Sequence, residues 1–504
     1  MRINKVIFIK NALILTVTGL IIRFIGMLFR IWLAGAIGSE GIGLYSQVFS
    51  FYMLASAFAS AGINTAVTRM VSEELALGNG KGARRVLGRC VLVALLIALG
   101  SSCLVFFGAD FISEKIIGDI RAADALKTLT LSLPFMGVSS CLKGYFIARK
   151  KTAPASSSQI FEQFVRIGII MLILGEVENG DITRSCRAVL FGDAIAEACS
   201  FIYMYISYAI DKSRYIVSLG GHRPQYSVFS RLRHIALPIT AGRYLNSILR
   251  TAENVLVPKQ LERFGMASSD ALSVFGTIKG MALPLIFFPA SFLNALSTLL
   301  IPEMSEAAAS NKAYKVKYTA EKCIHITLIS SLPIAVIFFF TGADLGELVF
   351  GDAHSGRIIR LLSPLVPLMY LDSVCDGLLK GLDQQFTVFR NSMLDSLGRL
   401  ALILVFLPKF GFIGFIGIMY ISNLFTCLMN LFRLKKISGA NIKWFSWGVL
   451  PGVTATTFGT IVCLLALNFG LSGIWFILGV SIPTALCYLF AVFKLNCIST
   501  EDIR

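Results

Sequence analysis

Charge is scarce in this sequence. Only 15% of its 504 residues are Asp, Glu, Lys or Arg, where a soluble globular chain carries about a quarter. With 56% hydrophobic residues and a mean hydropathy of +0.75, that shortage excludes water as the main solvent. Histidine is rarer still. His222, His234, His325 and His354 are scattered and lack metal-ligand spacing. The eleven cysteines contain no CxxC pair, so free buried thiols are expected rather than disulfides or metal ligands. "GNGKGARR" (Gly78 to Arg85) is basic and glycine-rich, but no GxxxxGK[ST] occurs and no strand precedes it, so ATP hydrolysis is not expected. Alternating runs of ~10 residues, the mark of a membrane β-barrel, are also missing.

What is there is a succession of apolar runs, each near the ~20 residues that cross the hydrocarbon. Fourteen are read, at roughly 11–35, 43–66, 88–110, 124–147, 158–176, 187–210, 234–257, 273–300, 320–342, 358–380, 391–408, 411–432, 444–468 and 471–494. The expectation is an all-α polytopic membrane protein of about fourteen transmembrane helices. It is divided into a first six-helix lobe with the start of a linker (1–225), a second six-helix lobe (226–437), and a final helix pair with a short tail (438–504).

The net charge of +17 does not point to nucleic acid, because the cations fall on alternate loops. Lys5 and Lys10, Arg84 and Arg85, Arg149 to Lys151, Arg231 and Arg233, Lys315 and Lys317, and Lys435 and Lys436 mark one side. The intervening "GAIGSEGIG", "GEVENGDIT" and "TGADLGELVFGDAHSG" are acidic or nearly neutral. The positive-inside rule then places both termini in the cytoplasm, with the basic surface against anionic headgroups. "LAGA" (Leu33 to Ala36) follows a run too long, and too interrupted by arginine, for a cleaved signal peptide.

Two of those interruptions pose the functional question. "RFIGMLFR" carries Arg23 and Arg30 through the first run, and "RYLNSILR" repeats the spacing with Arg243 and Arg250. Each arginine costs about 3 kcal/mol at mid-membrane. Seven residues is just under two turns, so each pair shares one helix face. Lys279 in "GTIKGMALP" adds a cation. In a wet cavity such groups make a positive field suited to phosphate or diphosphate, which the guanidinium fork matches. The alternative is a structural role, by snorkelling or by pairing with membrane acids such as Glu253, one turn beyond Arg250.

A shift of 233 positions aligns "TRMVSEE" with "IPEMSEA" and "QIFEQFVRI" with "SMLDSLGRL". It pairs Glu162 with Asp395 and Arg166 with Arg399, acid-then-arginine at i, i+4 in both halves. A shared structural role is the preferred reading of these pairs, with ion coupling the alternative. Six helices per repeat return the chain to the same side, the parallel-repeat plan of alternating-access transporters, which bind substrate at the repeat interface.

"RFIGMLFR", "GINTAVTRMVSEE", "SSQIFEQFVRI" and "GMALPLIFFPASFLNALSTLLIPEMSEA" resemble the stage V sporulation protein B family. That family lies in the multidrug/oligosaccharidyl-lipid/polysaccharide exporter superfamily and is related to the bacterial lipid II flippase. The resemblance implies a two-lobed, fourteen-helix fold that moves a lipid-linked oligosaccharide or peptidoglycan precursor across the bacterial plasma membrane for cell-wall or spore-cortex synthesis. It implies substrate-binding roles for Arg23, Arg30 and Lys279, which take the places of the flippase's cavity cations. The arginine pair of the flippase's second helix has no counterpart in "FYMLASAFASAG". The expected partners are a polyprenyl diphosphate-linked sugar, membrane lipids and cell-wall synthesis enzymes, with no nucleic acid and a monomeric chain. No cofactor and no catalysis are expected, and an ion gradient or the membrane potential would supply the drive. The rivals are a cation-coupled multidrug antiporter and a membrane scaffold for cell-wall enzymes.

Overall fold

A computed structural model describes residues 5–176, 181–213, 227–495 and 497, with side chains from Val17 onward apart from 59, 61 and 296–303. Every regular element among them is helical. Ten helices are long and apolar enough to cross a membrane, or eleven when the pair Ala122–Thr130 and Leu133–Ala148, bent by 42°, counts as one span. The protein is an all-α, multi-pass membrane protein.

The first helix, α1 (Lys5–Ala76), holds 72 residues. As one rod it would measure about 108 Å, far beyond the ~30 Å hydrocarbon. It is two arms meeting at Gly38 (φ 69°, ψ 175°). The sequence suggests a loop over "GAIGSEGIG", but the structure keeps this stretch helical on both sides of Gly38. It contains no proline, and Ile37 and Ile42 are buried, so packing holds the helix to the joint.

Next come α2 (Gly80–Phe111), α3 (Ala122–Thr130), α4 (Leu133–Ala148), α5 (Ala153–Gly175), α6 (Ile182–Asp211) and α7 (Val228–Arg263). Although 36 residues long, α7 is not among the helices apolar enough to count as a span. The later helices are α8 (Ser268–Gly276), α9 (Leu283–Ala309), α10 (Ala313–Phe350), α11 (Ala353–Leu362), α12 (Val366–Gly381), α13 (Gln385–Ser438), α14 (Leu450–Asn468) and α15 (Gly473–Lys494). Like α1, α13 breaks at a glycine, Gly411 (φ 53°, ψ −134°), where a Cβ would lie 2.6 Å from the Phe264 ring.

Packing divides the chain into one unit of Met1–Phe29 with Ala36–Lys259, and another of Arg30–Gly35 with Gln260–Arg504. The first has a core around Met70, Leu87, Cys90, Leu142, Tyr145 and Phe146. The second has one around Met304, Ala320, Cys323, Cys375, Leu378 and Leu379. These are repeat-related positions, offset by 233 or 234 residues.

The polar contacts repeat too. Within the first unit Tyr52 Oη donates to Met136 Sδ (3.3 Å), Ser140 Oγ to the Ser60 carbonyl (3.4 Å) and Thr68 Oγ1 to the Gly144 carbonyl (3.2 Å). Within the second, Tyr370 donates to the Ile286 carbonyl (2.6 Å), Ser373 to Asn294, and Ser305 to the Gly381 carbonyl (2.7 Å). Three bonds thus tie the second arm of α1 to α4, and three tie α9 to α12, the first two at repeat-related positions and the third one turn further along.

Helices α14 and α15 pack on α10 through Val336, Ala455, Tyr488 and Val492. The Tyr488 hydroxyl donates to the Ile329 carbonyl at 2.8 Å.

Candidate functional site

Three helices of the first unit turn stripes of side chains toward one cavity. On α5, Gln159, Glu162, Gln163 and Arg166 fall at i, i+3, i+4 and i+7, a single face. Met136, Ser140 and Lys143 do the same on α4, and Ser60 with Asn64 on the second arm of α1. Together with Ile22, Thr65, Glu197 and Arg243 they line a cavity of about 540 Å³, within the size range of small-molecule sites.

Its charges fall into two classes. Arg166 is flanked by two carboxylates: Nη2 lies 2.9 Å from Glu162 Oε1 and Nε 2.7 Å from Asp193 Oδ1, while Nη1 donates to Gln163 Oε1 at 2.9 Å. Tyr45 donates to the other Asp193 oxygen at 3.4 Å, and Lys143 Nζ approaches Glu162 at 3.7 Å. Two carboxylates therefore absorb the Arg166 charge. Arg243 and Glu197, in contrast, have no ion-pair partner among the described residues.

The other sequence candidates stand elsewhere. Arg23, exposed like Arg243, is not part of this wall, although its neighbour Ile22 is. Arg30 and Arg250 are exposed as well, and neither they nor Arg23 form an ion pair among the described residues. The Arg250–Glu253 pairing considered from sequence is not formed; Glu253 is buried. Lys279 belongs to the second unit, half-buried in the π-helical turn Thr277–Ala282. Asp395 pairs there with Arg399 and accepts from Ser422 Oγ at 2.5 Å.

The structure thus gathers Glu162, Arg166 and Arg243 into one wall and leaves Arg23, Arg30, Arg250, Lys279, Asp395, Arg399 and Glu253 outside it. Sequence reasoning missed Lys143 and the amides of Asn64, Gln159 and Gln163. The helical phase of "QIFEQFVR" was the available signal for the last two. Among repeat partners, Lys143 aligns with Asp376 and Glu197 with Asn430. Asn430 donates to Asp372 at 2.9 Å and accepts from Asn391 at 2.9 Å, and Lys380 reaches Asp376 at 2.5 Å. The duplicated frame therefore carries different charges in its two copies.

The chain is 25% identical over 443 residues to stage V sporulation protein B of Bacillus subtilis, covering 87% of this chain and 86% of the relative. It is 20% identical over 399 residues to the lipid II flippase MurJ of the same organism, covering 75% and 73%. Its fold matches a solved structure of lipid II flippase MurJ in an inward closed conformation, with a TM-score of 0.75 at 16% identity over 96% of this chain and 99% of that one. Residues 8–262, just over half of the sequence, match the polysaccharide biosynthesis protein family, and the chain belongs to that family.

Proposed function

We propose that this protein is a flippase that carries an anionic lipid-linked glycan precursor, of the lipid II class, across the bacterial plasma membrane by alternating access. The observation that carries this reading is Arg243, a permanently charged group in a polar cavity wall without a carboxylate to neutralise it. The diphosphate of the head group supplies the missing anion, with Lys143 as a second cation. Asn64, Gln159 and Gln163 offer donors and acceptors to sugar hydroxyls, while the polyprenyl tail stays in lipid. Arg23, Arg30, Arg250 and Lys279 are offered as further substrate-binding cations on their charge alone. The relatives named as a lipid II flippase and a sporulation protein support the substrate class and a role in cell-wall or spore-cortex synthesis. Both termini are placed in the cytoplasm, the chain acts as a monomer beside cell-wall synthesis enzymes, and an ion gradient or the membrane potential drives it without catalysis or cofactor.

The test is a flipping assay in vesicles holding the purified protein and a lipid II-type substrate. Wild type exposes substrate on the far side, and Arg243→Ala, still folded, does not. Equal flipping by both overturns the reading. Glu197 favours a second reading, since a carboxylate without an ion-pair partner in the same wall suits a cation. Uptake of a cationic dye against a gradient, lost in Glu197→Gln, selects a multidrug antiporter. Silence in both assays, with cell-wall enzymes co-purifying, selects a scaffold.

A further inference from the structure

A second cavity of the first unit, of about 400 Å³, opens on the outer faces of α2, α4 and α6. Its walls are almost wholly apolar: Leu87, Val91 and Leu95 on α2, Pro134 and Val138 on α4, and Phe201 on α6. Gly88 is the reason it exists. A Cβ built there meets nothing within 4 Å, so any larger residue would occupy the groove. The flanks face lipid, with Leu92 59%, Leu96 61% and Tyr205 56% exposed.

Length decides what fits. Leu87 to Leu95 rises about 12 Å, less than half of the ~30 Å hydrocarbon. The groove therefore stays within one leaflet, suiting one acyl chain and not a long polyprenyl tail.

Charge decides which lipid. Arg84 is one turn before Leu87 and Gly88, on the same helix face, and close enough to the Tyr208 hydroxyl to act on it electrostatically. Tyr208 closes the groove at that end. The neighbouring cations at the end of α4 are spent: Arg149 and Lys151 pair with Asp211 at 3.0 and 2.9 Å. Arg84 is exposed and forms no ion pair among the described residues.

We propose that this groove binds an anionic phospholipid, one acyl chain lying beside Gly88 and the phosphate meeting Arg84. The site is separate from the polar cavity and does not depend on the transport reading.

Native mass spectrometry of the purified full-length protein, supplied with phosphatidylglycerol or phosphatidylcholine of the same chains, tests it. Wild type should retain phosphatidylglycerol about fivefold better, the worth of one arginine at an anionic surface. Arg84→Gln should erase that preference while both lipids still bind. Gly88→Leu should reduce retention of both; if it does not fold, Val138→Phe fills the groove from the opposite wall. Equal retention of the two lipids by wild type, or unchanged retention in these variants, overturns the proposal. Displacement of phosphatidylglycerol by an equimolar polyprenyl phosphate, in wild type but not in the filled variant, would assign the groove to a substrate tail and also overturn it.

Discussion

Arg166 and Asp193 face each other across α5 and α6 with Nε and Oδ1 2.7 Å apart, and the same guanidinium holds Glu162 one turn away at 2.9 Å. The aspartate side chain is only 7% exposed. Such a pair is costly to assemble and far costlier to break.

Arg166→Met should therefore destabilise the protein by about 3–5 kcal/mol, because it leaves the buried Asp193 carboxylate without its counter-ion. Thermal unfolding in detergent measures this. Adding Asp193→Asn should recover part of the loss, and a double-mutant cycle with no coupling would show that the pair contributes nothing.

Lys143 behaves differently. At 3.7 Å from Glu162, beyond hydrogen-bond length, its ion pair adds little to stability. Lys143→Met should leave the melting temperature within a few degrees and slow flipping at least about tenfold, ~1.4 kcal/mol in barrier. The vesicle assay run beside a melting curve separates the two effects.

Close approach of α1 to α7 rests on one missing side chain. A Cβ at Gly62 would stand 2.2 Å from the Ala236 carbonyl oxygen and 2.4 Å from Thr240 Oγ1. Gly62→Val should cost about 1–3 kcal/mol by overpacking, read as a lowered melting temperature. Gly88→Leu, with open space around it, should cost nothing comparable.

Tyr488→Phe removes one buried hydrogen bond, from α15 to the Ile329 carbonyl. The expected loss is about 1 kcal/mol, measured by the same unfolding curves, with α14 and α15 otherwise held by their apolar contacts.

The helical, many-spanning character was legible because hydropathy at ~20-residue spacing needs no tertiary knowledge. The Glu162–Arg166 and Asp395–Arg399 pairs were legible for a similar reason: an i, i+4 relation is fixed by one helix. Asp193 as the third member was not, since its distance to Arg166 depends on how α5 and α6 pack. Lys143 was hidden for a different reason. A single lysine near a helix end reads as a snorkelling residue, and only the packing of α4 against α5 turns it toward Glu162. The breaks at Gly38 and Gly411 fall where gaps between apolar runs were read, but their form, helix meeting helix at one glycine, was not legible, because glycine marks a freedom of the backbone without saying how the chain uses it. The arginine pairs showed the reverse limit. Their spacing set a common face, but of the four only Arg243 stands in the polar wall.

The solitude of Arg243 has a thermodynamic consequence. Its five N–H donors form no ion pair with the protein among the described residues, so an empty cavity must be hydrated for the charge to persist. Any incoming anion has to strip that hydration before it gains the contact, and its net affinity is the difference between two large quantities. A passenger whose head is neutral could not repay the stripping, so selection for negative charge would be settled by dehydration, before shape is consulted.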